Sequence, residues 1–299
     1  MSNKRTFPPD VLVLDSDSLL HVRLGRGKSG PRILHAKSYR LAEDTFPSAA
    51  VTPLLANEAS LAEAIRRLRM ETGKWDKVSI LLPDSWFRIN LVDLPSLPER
   101  EADAMDVVRW SLKRTLPIPP EQLRVAFTVL ARSGQGAKVL VLSALDATLA
   151  AIERSFGAAG IDVVLIEPLG LNIWNAVAVR EGQAEGDRLF FYLRDTEFTT
   201  AVFRGAQPLF IRSRNLSADR TIDQEIRLSA SYLRDSLSAD KFAGCFVAGE
   251  RGPEVHATLA EEFNTPVRTI AIKDHAEDVP AGILGLDAEL TACTGVFTG

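Results

Sequence analysis

Residues 25–30 read Gly-Arg-Gly-Lys-Ser-Gly, and glycines at this spacing could hold a phosphate. The stretch matches the G-x-G-x-x-G pattern, in which backbone N–H groups close around an anion at the start of a helix. The pattern therefore requires a helix directly after the glycines. Pro31 follows instead, and residues 32–39 have the composition of a strand. We predict that this stretch is the tip of a β-hairpin with exposed Arg26 and Lys28, and that it is not a phosphate loop.

The histidines and cysteines show no spacing that indicates a catalytic or metal site. Four histidines and two cysteines are spread through the chain without a metal-ligand pattern, and no Gly-x-Ser-x-Gly motif is present. We interpret each histidine as a surface or packing residue. Cys245 and Cys293 are expected to be free, buried thiols in a reducing cytoplasm.

The composition describes a globular protein that is long enough for two domains. Of the 299 residues, 46% are hydrophobic and 25% are charged. The net charge of -4 argues against a surface dedicated to nucleic acid. The apolar stretches fall short of the roughly 20 clean residues of a membrane span, and residues 1–9 lack the apolar core of a signal peptide. These features predict a cytoplasmic protein without a nucleic-acid partner.

The elements predicted from hydrophobic periodicity fall into two similar series. Each series opens with an apolar strand, a short polar turn and two further strands, and continues to a helix and another strand. The first series comprises strands at 10–14, 19–24, 32–39 and 78–83 with a helix at 58–71, and the second comprises strands at 189–193, 198–203, 208–213 and 245–248 with a helix near 218–237. The repetition predicts an internally duplicated α/β architecture.

Further elements are predicted between and after these series. A strand at 87–92 precedes a helix that we expect to begin at a capping box of Ser96 and Glu99. The remaining elements are strands near 123–131, 137–143 and 161–166, and helices at 146–158, 168–180, 254–263 and 284–297. The polar residues 181–187 predict a domain boundary.

The order of several segments resembles the type IV pilus assembly protein PilM family of the actin-like ATPase superfamily. The segments of the first half are Pro83-Asp84-Ser85, Val92-Asp93-Leu94-Pro95-Ser96-Leu97-Pro98, Arg109-Trp110-Ser111-Leu112-Lys113 and Leu116-Pro117-Ile118-Pro119. Those of the second half are the helix around 225–234 and the small-residue segment Thr294-Gly295-Val296-Phe297. The cytoplasmic module of GspL and the cell-division protein FtsA are related to this family. The resemblance covers nearly the whole chain.

The resemblance implies an α/β fold of the duplicated actin-like (ribonuclease H-like) type. A first lobe is expected at residues 1–182, with an inserted α+β subdomain at about 78–160. A second lobe is expected at 187–299, and its C-terminal helix at 284–299 should pack back on the first lobe.

The resemblance also locates a nucleotide site, and there this sequence departs from the family. Each phosphate hairpin of the family carries Asp-x-Gly, with the aspartate for the metal and the glycine for close approach of the backbone to phosphate. The aligned residues here are Val13-Leu14-Asp15 and Tyr192-Leu193-Arg194. The remnants of the site are Asp15, Ser16, Asp17, Ser18, Arg194, Asp195, Thr196, Gly249 and Gly252. We expect no catalytic residues, no metal site and no cofactor. The alternative is that the site still binds ATP with Mg²⁺.

Two other functions remain open. An active ATPase or sugar kinase of the same fold needs a metal-binding aspartate in each hairpin. Asp15 or Asp195 occupies that position only if the alignment of the hairpins is shifted. An FtsA-like cell-division protein needs a C-terminal amphipathic membrane helix, for which residues 290–299 are too short and uncharged.

If the protein does not hydrolyse ATP, the resemblance implies that it is a scaffold at the cytoplasmic face of the inner membrane, held there by its partner. That partner is expected to be the cytoplasmic N-terminal peptide of a PilN-like membrane protein, in a type IV pilus or a type II secretion platform. Pilus motor or platform proteins, and a second copy of this chain, are further expected contacts. The peptide groove should involve residues 78–160, with Trp86, Phe87 and Trp110 as candidates to line it.

Overall fold

The computed structural model describes residues 7–47, 53–113, 116, 118–182, 185–216, 220–237, 241–280 and 285–298. The strands of the first half are β1 Asp10–Leu14, β2 Ser18–Arg26, β3 Pro31–Arg40, β4 Lys77–Leu82, β5 Arg88–Leu94, β6 Leu123–Ser133, β7 Gly136–Leu145 and β8 Asp162–Pro168. Its helices are α1 Glu58–Thr72, α2 Glu101–Lys113, α3 Asp146–Ala158 and α4 Leu169–Glu181. Each of these elements is predicted by the sequence, and all but the start of α2 agree to within a few residues.

The second half repeats the opening of the first. Its strands are β9 Asp187–Leu193, β10 Glu197–Arg204, β11 Gln207–Asn215, β12 Gly244–Ala248 and β13 Val267–Thr269, and its helices are α5 Ile222–Leu237, α6 His256–Phe263 and α7 Asp287–Thr298. The sequence analysis did not predict β13, because three residues are too few to show an alternating pattern.

Two five-stranded sheets share one topology. Their strand orders are β3-β2-β1-β4-β8 and β11-β10-β9-β12-β13. In each sheet the first three strands of the series pair antiparallel, and the two strands on the other side run parallel to the first. The duplicated α/β architecture is therefore confirmed.

Helices cover both faces of each sheet. α4 and α7 lie between the sheets, and one core joins Val11 of β1, Ile173 of α4, Phe190 of β9 and Leu290 of α7. α1 and α3 cover the outer face of the first sheet, and α5 and α6 cover that of the second. The resulting five layers divide the molecule into two lobes, each centred on one sheet, with the ends of β1 and β9 near the middle.

The two central helices approach each other closely. A Cβ atom at Gly295 of α7 would lie 1.9 Å from the carbonyl oxygen of Asn172 in α4, so only glycine permits this contact. Cys293 of α7 and Cys245 of β12 are free and buried, as predicted. None of the helices in the described part of the chain has the length and apolarity to span a bilayer.

A small subdomain is inserted between β4 and α3. It consists of the antiparallel sheet β5-β7-β6 and of α2, which buries Ala104, Val108 and Leu112 in a separate core. This sheet spans Arg88–Leu145, whereas β4 and α3 pack with the first sheet. The expected limits of about 78–160 therefore extend into the first lobe at both ends.

Two local predictions have different outcomes. β2 ends at Arg26 and β3 begins at Pro31, with Arg26 and Lys28 exposed, so the hairpin tip is confirmed. The capping box of Ser96 and Glu99 is wrong, because α2 begins only at Glu101. The backbone of residue 97 is instead bound by the turn between β6 and β7, where its N–H donates to the Gln135 carbonyl at 2.9 Å.

Candidate functional site

The turns after β1 and β9 have the same hydrogen-bond pattern. Asp15 N–H donates to the Ser18 carbonyl at 2.9 Å, and Arg194 N–H donates to the Glu197 carbonyl at 3.0 Å. Asp15 and Arg194 therefore occupy equivalent positions in the two lobes. This equivalence agrees with the alignment of the two hairpins used in the sequence analysis.

These two equivalent residues contact each other across the junction. The guanidinium of Arg194 donates through Nη2 to Oδ2 of Asp15, and its Nη1 lies 3.7 Å from Oε1 of Glu197. The Arg194 side chain is 20% exposed and that of Asp15 is 14% exposed. Burial alone would lower the pKa of Arg194, but the neighbouring Tyr192, Asp15 and Glu197 raise it above its ordinary value.

Two buried carboxyl groups beside this ion pair also join the lobes. Asp84, which follows β4, accepts hydrogen bonds from Gly170 N–H at 2.7 Å and from the Thr199 hydroxyl of β10 at 2.8 Å. Glu197 of β10 accepts a hydrogen bond from Ser85 N–H at 3.0 Å. Burial raises the pKa of both carboxyl groups, and the proximity of Asp84 raises that of Glu197 further. We call Asp15, Asp84, Arg194 and Glu197 the junction cluster.

The loop that contains the predicted remnants Gly249 and Gly252 lies against the turn after β9. At Gly249, φ is +94°, and a Cβ atom there would lie 2.0 Å from the Leu193 carbonyl oxygen. The Asp195 N–H donates to Glu250 Oε1 at 2.9 Å, and Arg251 Nη1 lies 3.1 Å from Asp195 Oδ1. The predicted remnants around the two turns are thus brought together, but most of their polar groups already bond to one another.

The other predicted remnants serve mainly to shape their turns. Ser16 N–H donates to Asp15 Oδ1 at 2.6 Å, and Leu41 N–H donates to the Asp17 carbonyl at 2.7 Å. Leu216 N–H donates to the Thr196 carbonyl at 2.9 Å, and Gly252 N–H donates to that of Gly249 at 3.0 Å. These contacts fix the two turns and the loop beside them.

A cavity of about 270 Å³ opens beside Arg194 in the second lobe. Its polar lining includes the carboxyl groups of Glu250, Asp287 and Glu289, against the single guanidinium of Arg194. Burial raises the pKa of Glu289. A phosphate without a metal ion would meet these acids and an arginine that is already paired, so the side chains of this cavity do not favour direct contact with a phosphate group. Within the described ranges, no three His, Cys, Asp or Glu side chains are arranged to hold a metal ion.

The three aromatic groove candidates do not lie together. Trp86 and Phe87 are each 5% exposed in the core of the first lobe, and Trp86 packs 4.9 Å from the ring of Phe46. Trp110 is 64% exposed on α2. The structure does not place Trp86 at an exposed surface, because its indole fills the core beneath the turn after β4.

Phe87 borders a narrow groove between the first lobe and the inserted subdomain. The groove has a volume of about 150 Å³, and its walls come from α3, β6, β7 and β8. β8 is an edge strand of the first sheet, and its Val164 is 46% exposed. Arg124 lines the groove and pairs with Asp146 at 2.9 Å. We call this feature the β8 groove; it is lined by Phe87, Arg124, Leu142, Leu149, Val164 and Ile166, among others.

Sequence reasoning missed Asp84 and Glu197 as site residues. Their hydrogen-bond partners lie far away along the chain, 86 and 115 residues from Asp84 and 112 residues from Glu197. A single acidic residue in a turn is most often solvated, so no local signal distinguishes these two. The only sequence signal was their position, since Asp84 lies just after β4 and Glu197 directly follows the turn after β9.

Several solved structures, including the following three, resemble this chain over most of its length. A chain of a PilM–PilN type IV pilus biogenesis complex matches with a TM-score of 0.79 and 17% identity, covering 98% of both chains. The cytoplasmic domain of EpsL, an inner-membrane component of the type II secretion system of Vibrio cholerae, matches with a TM-score of 0.54 and 13% identity, covering 97% of this chain and 94% of that one.

A Bacteroides thetaiotaomicron protein with an actin-like ATPase fold and unknown function matches with a TM-score of 0.53 and 12% identity, covering 95% of this chain and 96% of that one. No model of a protein family matches the sequence. No curated protein matches it either. The resemblance predicted from the sequence is thus confirmed at the level of the fold: this chain has the two-lobed actin-like fold, in an arrangement similar to that of the PilM–PilN structure.

Proposed function

We propose that this chain is a PilM-like, non-catalytic scaffold of a type IV pilus or type II secretion platform. It binds the cytoplasmic N-terminal peptide of a PilN-like membrane protein, and that partner keeps it at the cytoplasmic face of the inner membrane. Support for the assembly role comes from the fold shared over the full length with a chain of a PilM–PilN complex. The EpsL domain adds support from a secretion platform.

The observation that carries the non-catalytic role is the ion pair of Arg194 with Asp15. It lies where the aligned hairpins of a nucleotide-binding relative would offer bare backbone to phosphate. Hydrolysis requires a positioned metal and a positioned water. Here the first aligned aspartate position is Val13, the second is Tyr192, and a large cation replaces the glycine of the second hairpin.

The β8 groove is the site at which we place the partner peptide. An extended peptide can add to the free edge of β8 through backbone hydrogen bonds, while its apolar side chains contact Val164 and Phe87. Arg124 and Glu153, whose side chains pair across the groove wall, provide polar contacts at its rim. The groove fits the expectation that residues 78–160 take part in the peptide site, because most of its lining comes from that range.

A binding assay with one matched control tests this proposal. A labelled synthetic peptide of the cytoplasmic N-terminus of the PilN-like membrane protein of the same organism is titrated with wild type, Val164→Arg and Leu228→Arg by fluorescence anisotropy. The two positions have similar exposure, 46% and 48%, but Leu228 lies on α5 in the second lobe. We expect Val164→Arg to weaken binding at least roughly tenfold and Leu228→Arg to leave it unchanged. Equal binding by all three proteins would exclude this groove.

A further inference from the structure

The glycine-rich hairpin tip between β2 and β3 binds an anion that belongs to the chain itself. The N–H groups of Lys28 and Gly30 donate to the Glu277 carboxylate at 3.0 Å each, and Ser29 N–H donates to the same group. The tip is closed by Gly27 N–H, which donates to the Gly30 carbonyl at 2.8 Å. Successive N–H groups that converge in this way form an anion-binding nest. We call residues 27–30 the Gly27 nest.

The shape of the nest depends on one of its glycines. A Cβ atom at Gly27 would lie 2.0 Å from Glu277 Oε2 and 2.8 Å from the Gly30 carbonyl oxygen. A Cβ atom at Gly30 would meet nothing within 4 Å. Gly27 is therefore required for the carboxylate to enter, whereas Gly30 is not required for space.

Glu277 brings a segment of the second half onto the edge of the first sheet. Its N–H donates to the Pro31 carbonyl at 2.9 Å, and Ile33 N–H donates to the Asp278 carbonyl at 3.1 Å. Arg32 and Asp278 form an ion pair at 2.7 Å. The carboxylate in the nest and these backbone bonds together attach the residues around Glu277 to β3, an edge strand.

A cavity beside the nest offers space for an external anion. Its volume is about 400 Å³, and Ser29, Gly30, Arg180, His275 and Thr294 line it together with Glu277. The exposed side chains of Arg26 and Lys28 add positive charge at the tip. The acids facing the nest are Glu277 itself, Asp274, which contacts Arg180, and Asp278, which contacts Arg32. Once Glu277 leaves, three N–H donors lose their acceptor, and two of the residues that carry them, Ser29 and Gly30, line this cavity.

We propose that the Gly27 nest is a binding site for an oxyanion, a carboxylate or a phosphate group, and that Glu277 is its intramolecular competitor. An external oxyanion replaces Glu277 at the same N–H groups. The segment around Glu277 then loses its attachment to the hairpin tip and is held to β3 by the two backbone hydrogen bonds and the Arg32–Asp278 ion pair alone. This site is distinct from the junction cluster and from the β8 groove, and it does not depend on the proposed function.

Amide NMR on the intact protein tests the site directly. Inorganic phosphate and acetate are titrated in turn, at constant ionic strength, into wild type, Glu277→Ala and the exposed-acid control Glu261→Ala. We expect the amide signals of Lys28, Ser29 and Gly30 in Glu277→Ala to saturate at a phosphate concentration roughly tenfold lower than in wild type. Glu261→Ala should titrate like wild type. A response to acetate as well shows that the site accepts both carboxylates and phosphates, a response to acetate alone assigns it to carboxylates, and a response to phosphate alone assigns it to phosphates.

A second measurement separates competition from general loosening. Hydrogen exchange at the amides of Ile33 and Glu277 is compared in wild type, Gly27→Ala, Gly30→Ala and Glu277→Gln. Gly27→Ala should accelerate exchange at both amides roughly tenfold, with a smaller effect of Glu277→Gln and none of Gly30→Ala. The proposal is overturned if the nest amides of Glu277→Ala respond to phosphate no more than those of wild type. It is equally overturned if the two glycine variants exchange alike.

Discussion

Arg194 and Asp15 occupy equivalent positions in the two lobes and bind each other across the junction. A ligand phosphate between two such hairpins would draw both lobes together through its own charge. In this chain a guanidinium and a carboxylate supply that attraction, and Asp84 and Glu197 add hydrogen bonds that also cross the junction. Contact between the lobes is thus built into the fold and needs no bound nucleotide.

Removing Arg194 should destabilise the protein, because Asp15 and Glu197 then share no cation. Breaking a buried pair by deleting one partner leaves an uncompensated charge, and we expect Arg194→Ala to lower the free energy of unfolding by about 3 kcal/mol. Urea denaturation measures this change. Arg251→Ala is the control, since Arg251 pairs with Asp195 and Glu254 at an exposed surface and should cost little. Similar losses in the two variants would contradict a special role for the junction.

The two buried carboxyl groups predict a dependence of stability on pH. Their pKa values are raised above the ordinary 3.8 of Asp84 and 4.5 of Glu197, so the folded state binds more protons than the unfolded state. Their contribution to stability is complete below those ordinary values and is lost as pH rises through the raised ones towards neutrality. Glu197→Gln should therefore flatten the decline of the urea midpoint between mildly acidic and neutral pH. Glu261→Gln controls for the loss of one charge, and an unchanged slope in Glu197→Gln would refute the assignment.

The Glu277 carboxylate in the Gly27 nest predicts the opposite dependence of stability on pH, in a more acidic range. Hydrogen bonds from the Ser29 and Lys28 backbone lower the pKa of Glu277 below its ordinary 4.5. The carboxylate therefore stabilises the folded state above that ordinary value, and its contribution is lost as pH falls through the lowered one. In wild type, the amides of residues 28–30 should lose protection from exchange in that acidic range. In Glu277→Ala they should show no such step.

We expect no magnesium-dependent ATP hydrolysis above background from the purified protein. Arg194 is already paired, and the cavity beside it carries Glu250, Asp287 and Glu289 where a phosphate would need donors. A phosphate-release assay measures the rate with and without Mg²⁺. Turnover that disappears in Asp15→Ala or Asp195→Ala would show that one of these aspartates binds the metal and that the hairpin alignment is shifted.

Gly249 should tolerate alanine far less well than Gly160. Both have positive φ, +94° and +70°, and this backbone strain costs alanine about 1 kcal/mol at either position. Only at Gly249 would the new Cβ also meet the Leu193 carbonyl oxygen, and nothing lies within 4 Å of the Cβ position at Gly160. Gly249→Ala should therefore lose roughly 2 kcal/mol more in urea denaturation. Equal losses would mean that the loop shifts away from β9 without cost.

The sequence predicted the strands of both hairpin series because their apolar runs and polar turns are local signals. It also predicted that Val13 and Tyr192 stand at equivalent places, since the repeat of strand and turn sets that register. The start of α2 failed for a different reason, because the backbone of residue 97 is bound by a turn almost forty residues later in the chain (Gln135). Contacts of that kind carry no local pattern.

The site was harder to predict than the fold. Aromatic type alone suggested Trp86 as a groove residue, but type does not distinguish a core indole from an exposed one. The glycine stretch at 25–30 was correctly assigned to a hairpin tip, yet its anion, Glu277, lies 248 residues from Ser29 and has no motif of its own. The partner of an anion nest is set by tertiary packing, which a glycine spacing does not encode.

The packing of α7 beside β1 also has a consequence for synthesis on the ribosome. β1 is complete at Leu14, but the core that it shares with Leu290 and Val296 cannot form until α7 has emerged. At ordinary elongation rates that delay is on the order of tens of seconds. The outer core, with α1 and α3 against the first sheet, can form well before then. In the nascent chain the outer face of the first sheet is therefore already covered, while its inner face is still exposed. A chaperone would have to shield that inner apolar face.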